Sequence, residues 1–186
     1  TQTDSYKYKL ASFTDSDTKP QVADTTKFVK KTTTTYNPIE KGSEKAVRTT
    51  NYKSDGSSTD TTTDYYYHVD QDHNFVIGSD ATINADCYMT KSETRRSDSS
   101  KKQFTYFTGV EPGEEAVLWS KEYNYNGSNL KSVTDYSLDG SNALTQTDSY
   151  KYKLASFTDS DTKPQVADTT KFVKKTTTTY NPIEKG

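Results

Sequence analysis

The chain has 186 residues, with 24 Lys and Arg against 26 Asp and Glu, and a formal net charge of −2. This near balance excludes the cationic field that a nucleic-acid partner selects for. Leu, Ile, Val and Phe number only 27 of 186 residues, below the roughly 20% typical of a thick aliphatic core, and no apolar run approaches the ~18 residues of a membrane span.

The first segment in chain order is also the last. Residues 1–42 and 145–186 are identical at all 42 positions, an offset of 144. The chain therefore reads as one full period, residues 1–144, followed by the start of an identical next period, residues 145–186. It opens at Thr1 without Met, and in the second copy the same Thr follows Asp139-Gly-Ser-Asn-Ala-Leu144, a turn leading into a strand. A segment cut from a longer array is expected. The competing reading is an engineered duplication in which two alternate frames share one fold.

Along the chain, 15 Tyr and abundant Thr replace aliphatic residues; both fit a pleated, half-buried surface, and neither favours helix. Period-two alternation predicts about eight strands, at residues 28–36, 46–53, 59–69, 86–94, 102–108, 117–126, 130–138 and 143–155, with a ninth around 75–77. Phe28 and Tyr36 share one face of the first of these. Tyr65, Tyr67 and Val69 share a face of the third. Val117, Trp119, Tyr123 and Tyr125 align in the sixth, Leu130, Tyr136 and Leu138 in the seventh, and Leu144, Tyr150, Tyr152 and Leu154 in the eighth. Turn signals separate them: Ser-Asp-Gly-Ser at 54–57, Asn-Gly-Ser-Asn at 126–129 and Asp-Gly-Ser-Asn at 139–142. The expected fold is all-β, an antiparallel meander of hairpins forming a thin single layer, a narrow sandwich or a spiralled repeat sheet.

The hairpin at residues 123–140, Tyr-Asn-Tyr-Asn-Gly-Ser-Asn-Leu-Lys-Ser-Val-Thr-Asp-Tyr-Ser-Leu-Asp-Gly, resembles the YD repeats of Rhs-type and other giant bacterial surface proteins, and residues 51–67 and 136–152 echo it. The resemblance implies antiparallel sheet wound from hairpins, serving as shell or shaft, and transfers no catalytic residue.

Candidate chemistry is sparse, and no enzymatic activity is expected. His68, His73 and Cys87 are potential zinc ligands, but their spacing fits none of the usual ligand pairs. Asp15/Asp17, Asp70/Asp72 and Asp159/Asp161 offer oxygens to calcium without the twelve-residue loop and terminal Glu of a calcium hand, so solvated carboxylates are the better account. Cys87, the one Cys in the chain, reads as a small buried or unpaired thiol. No phosphate loop, nucleophile elbow or catalytic triad signature is present, and no cofactor is expected. Asn126 heads an N-glycosylation acceptor pattern in a turn. Tyr65, Tyr66, Tyr67, Trp119, Tyr123 and Tyr125 are candidate ligand-stacking or packing aromatics, with packing the simpler reading.

Two function classes follow. One is a structural shaft or filament at the cell surface or outside the cell, whose partner is itself: neighbouring repeats or identical chains. The other is an adhesin repeat gripping a surface glycan through its aromatic rows and loops. Open strand edges on such a segment are expected to make it associate.

Overall fold

The computed structural model describes residues 1–9, 27–71 and 74–181. Eleven strands occur among the described residues: β1 (Gln2–Tyr8), β2 (Phe28–Asn37), β3 (Lys45–Tyr52), β4 (Thr59–His68), β5 (Val76–Ile77), β6 (Tyr88–Arg96), β7 (Lys101–Thr108), β8 (Ala116–Tyr123), β9 (Leu130–Leu138), β10 (Leu144–Tyr152) and β11 (Phe172–Thr179). They form one open antiparallel sheet in the order β1-β2-β3-β4-β6-β7-β8-β9-β10-β11, with β5 paired to β4. The all-β meander expected from the alternation is therefore the fold, built as a single layer. Each of the eight expected strands is found, and β5 is the ninth.

Copies of the repeated segment occupy opposite ends of the sheet. In the first, Gln2 pairs with Thr35 and Tyr8 with Phe28; in the second, Gln146 pairs with Thr179 and Tyr152 with Phe172, with the bulge at the same place, Ser5/Tyr6 and Ser149/Tyr150. Side chains repeat as well. Thr33 donates to Asp4 at 2.6 Å and Thr177 to Asp148 at 2.6 Å. The Tyr8–Phe28 and Tyr152–Phe172 ring centroids lie 5.2 and 5.1 Å apart. Local sequence alone sets this hairpin's geometry, because its surroundings differ at the two ends.

A half-period is superimposed on the 144-residue one. The β3–β4 hairpin pairs Arg48 with Asp64 and Tyr52 with Thr59, and the β8–β9 hairpin pairs Trp119 with Asp135 and Tyr123 with Leu130, each 71 positions later. Their turns match. Gly56 N donates to Lys53 O at 3.0 Å and Gly127 N to Asn124 O at 2.9 Å, and the two glycines have φ of 71° and 70°. Asp55 and Asn126 cap these turns by accepting from the amides of Ser57 and Ser128. Each glycine also lies on the strand before its hairpin: a Cβ would stand 2.4 Å from Val29 Cγ2 at Gly56 and 2.5 Å from Lys101 N at Gly127. Glycine is required there for space as well as for φ.

Every ladder except the short β4–β5 pair contains a register shift. Bulges of this kind strengthen twist and reset which side chains share a face. Strict alternation fails for that reason in β9, where Leu130 sits opposite Tyr123 and Val133 opposite Lys121, so that Leu130 and Val133 join one core. Three expected face residues lie outside the strands, Val69 just past the end of β4 among them. Tyr125 falls in the β8–β9 turn and is 85% exposed, and Leu154 lies past the end of β10 and is exposed.

With few aliphatic residues, the apolar layer divides into two patches. In β4, Tyr66 meets Lys91, while Tyr65 and Tyr67 turn to the opposite face. On that opposite face Tyr67, Ile83 and Cys87 form a small core with Tyr65, Val69 and Met89 packed against it. The larger core, on the Tyr66 side, comprises Phe104, Tyr106, Trp119, Tyr123, Leu130, Val133, Tyr152 and Phe172. No helix among the described residues is long and apolar enough to cross a membrane.

Candidate functional site

The segment joining β10 to β11, residues 153–171, is long for a hairpin connection, and long ordered loops in compact folds are commonly functional. It runs back across the face of the larger core instead of pointing into solvent. Tyr152 OH donates to Ser156 O at 2.9 Å at its start, and Phe157 meets the Tyr152 ring edge-on at 5.5 Å. Phe157 and Val166 pack onto the core. Asp168 closes the segment by accepting from Thr170 N at 3.0 Å.

Between these anchors the loop lowers two carboxylates onto the sheet. Asp159 Oδ1 accepts from Lys121 Nζ at 2.5 Å and from Tyr123 OH at 2.7 Å, and its Oδ2 accepts from Lys101 Nζ. Asp161 Oδ1 accepts from Tyr106 OH at 2.6 Å, and both of its oxygens lie 3.2 Å from Lys91 Nζ. Lys121 also donates to Ser160 O at 2.6 Å. Lys163 reaches Asp135 on β9 at 3.0 Å. One loop thus ties β6, β7, β8 and β9 together through side chains, a brace laid across the ladder hydrogen bonds.

The residues beneath explain why the lysines point inward. Period two puts Lys121 between Trp119 and Tyr123 on the core face, and it is only 1% exposed. Trp119 and Tyr106 stack with centroids 3.9 Å apart and planes 5° apart. Lys121 Nζ lies within 6 Å of five ring centroids, among them Phe104 at 5.2 Å and Tyr106 at 5.5 Å. Burial lowers the Lys121 pKa, and the Asp159 hydrogen bond opposes that shift without cancelling it. Burial works to raise Asp159, but hydrogen bonds from Lys101, Lys121 and Tyr123 outweigh it and hold the carboxyl at about 2. Tyr106 and Tyr123 are pushed up, first by burial and then by the carboxylates they donate to. The cluster is an ionic lattice suited to holding strands in place, with only Asp135 Oδ1, at its margin, buried without a hydrogen-bond partner.

The candidate aromatics separate accordingly. Trp119 and Tyr123 belong to the brace, and Tyr66 borders it with Lys91 Nζ 4.4 Å above its ring. Burial followed by the Glu93 charge raises Tyr66 to about 12. Tyr65 and Tyr67 lie in the smaller core on the other face, so the three consecutive tyrosines do not make one platform. Tyr125 stands apart with Arg96 5.6 Å from its ring. Asn126 sits in an exposed turn, its Oδ1 engaged by Ser128.

Asp159 and Asp161 are thus lysine and tyrosine ligands where solvated carboxylates were expected, and the burial of their cations is the reason. Asp15, Asp17, Asp72 and His73 lie outside the described residues. His68 meets Tyr88 edge-on at 4.8 Å, and its buried Nδ1 has no partner. Cys87 is buried and bonds to Asn84. Among the described residues no group of three or more His, Cys, Asp or Glu is arranged to hold a metal ion. No family model, curated protein or solved structure matches this chain.

Proposed function

We propose that this chain is a load-bearing segment of a tandem-repeat shaft outside the cell, in which successive 144-residue periods extend one continuous antiparallel sheet. The observation that carries the reading is the doubled hairpin. In the second copy its first strand is flanked by β9, and in the first copy its second strand is flanked by β3. Together they supply both neighbours that the hairpin has inside an array. From β1 to β10 the path takes eight ladder steps, which at about 4.8 Å each advances about 38 Å per period.

The brace supports the same reading. The loop of the 145–186 copy grips β6 to β9 of the preceding 1–144 period, so each period locks the one before it. The resemblance of residues 123–140 to YD repeats of surface proteins agrees with a shaft and with the extracellular setting. The glycan-binding alternative draws on the aromatic row, yet Tyr67, Trp119 and Tyr123 are buried, which favours packing over stacking on a sugar.

Electron microscopy of polypeptides carrying one, two and three periods tests the proposal. A shaft lengthening by about 38 Å per added period is expected. Separate compact beads would refute it, as would glycan binding abolished by Tyr66→Ala in chains that form no extended body.

A further inference from the structure

Val29 and Val173 are the same residue of the two identical copies, yet Val29 is 7% exposed and Val173 38% exposed. The difference lies in what flanks the strand. Beside β2 runs β3, whose turn brings Gly56 down on Val29. Beside β11, on the side away from β10, no strand of the described residues is paired. Tyr180 is likewise exposed at this end.

We infer that, in chains of these 186 residues, the outer edge of β11 is a docking site for β3 of a second copy, in a register fixed by the chain's own β2–β3 ladder. Because β2 and β11 are identical in sequence, the ladder transfers position by position. Thr32↔Asn51, Thr33↔Thr50, Thr34↔Thr49 and Thr35↔Arg48 become Thr176↔Asn51, Thr177↔Thr50, Thr178↔Thr49 and Thr179↔Arg48 between chains. The incoming turn would cover Val173 with Gly56 as it covers Val29. The inference deepens the shaft reading and rests on it for its setting: it names the surface by which separate chains reproduce the junction between periods.

For β3 to reach β11 it must leave its own β2, so the second chain's β1–β2 hairpin swings aside. The strand pairing lost and gained has the same sequence and so nearly cancels, leaving the association entropy as the main opposing term. The reciprocal exchange, β1 onto another chain's β9, would displace the β10–β11 hairpin. That hairpin is fastened by Asp159 to Lys101, Lys121 and Tyr123. Exchange therefore proceeds at β3, and it strengthens when a chain's own β2 is disabled.

Backbone polarity identifies the residue to disable. Tyr36 N donates to Thr1 O, and Tyr180 N to Thr145 O, so alternation turns the Thr35 N–H toward β3 and the Thr179 N–H toward the open edge. Proline at either position removes that donor and is tolerated best at an edge.

Chains of these 186 residues provide both arms of the test. In sedimentation equilibrium, Thr35→Pro is expected to shift the chain from monomer toward dimers and longer oligomers, and Thr35→Pro with Thr179→Pro to restore the monomer. In a Cys87→Ala background without proline, isotope-labelled Thr178→Cys chains are mixed with Thr49→Cys chains. A mixed disulfide is expected to form on the order of tenfold faster than with Thr50→Cys, which points to the other face. Association with equal cross-linking to positions 49 and 50 overturns the register and leaves the shaft reading standing. Oligomers of Thr35→Pro that survive Thr179→Pro overturn β11 as the site. Monomers throughout, with no mixed disulfide, overturn the inference and also remove edge association from the shaft reading.

Discussion

Asp159→Asn is the most informative single change in this protein. It keeps the shape of the side chain and leaves Lys121, 1% exposed, with the Ser160 carbonyl and the more distant Asp161 charge but without a hydrogen-bonded anion. Stripping a buried charge of its partner costs about 3–5 kcal/mol. The Asp159 side chain is 25% exposed, and Lys121 already has a lowered pKa, which lets it shed its proton. Both features reduce the expected loss to about 2–3 kcal/mol. The assay is urea unfolding followed by the fluorescence of Trp119, the one tryptophan, which is buried in the cluster.

Titration supplies a second reading of the same quantity. Asp159 falls from 3.8 to about 2 on folding, a linkage of about 2 kcal/mol at 1.36 kcal/mol per unit. Because the folded value is the lower one, this stability is fully present above about pH 5 and declines as acid protonates the unfolded chain. It is lost once pH passes below about 2. The gap between the wild type and Asp159→Asn should therefore close by about 2 kcal/mol between pH 5 and pH 2. Adding Lys121→Met should bring the variant back to within about 1 kcal/mol of the wild type at neutral pH, since apolar replacement of a buried pair is nearly neutral. A gap below about 0.5 kcal/mol at pH 7, or one unchanged by acid, would show that the brace holds nothing.

The duplicated hairpin permits matched comparisons at identical local sequence. Val29→Ala should cost about 1–2 kcal/mol by urea midpoint and Val173→Ala under about 0.5 in the monomer; equal losses would contradict the covered and open edges. Gly127→Ala should cost about 2 kcal/mol or more, since a Cβ would meet Lys101 N, whereas Gly113→Ala, with φ of 89° and open space, should cost only the left-handed strain of about 1 kcal/mol. Tyr125→Ala, at an 85% exposed turn position, should change stability by no more than about 0.5–1 kcal/mol, the cation–π contact with Arg96 included. Thermal unfolding read by circular dichroism checks these last two.

Period two and turn chemistry made the meander legible before any coordinates, since side-chain alternation and Asp-Gly or Asn-Gly turns are properties of a few adjacent residues. The repeated hairpin carries this furthest: the same 42 residues give the same register at both ends of the sheet. The face assignments were less legible. Bulges change side-chain parity at points that depend on the neighbouring strand, which is why Leu130 and Val133 share a core across an odd spacing.

Lys121 carried a readable signal, a cation in phase with Trp119 and Tyr123. Its meaning depended on Asp159, 38 positions away, and no local pattern says that residues 153–171 fold back over β6 to β9. Tertiary structure alone decided which identical residues are covered, because burial belongs to the surroundings and not to the sequence of the strand. Val29 beneath the Gly56 turn and Val173 at an open edge are the plainest case. Sequence by itself determined the strands, their turns and the periodic plan; long-range packing determined what each face touches.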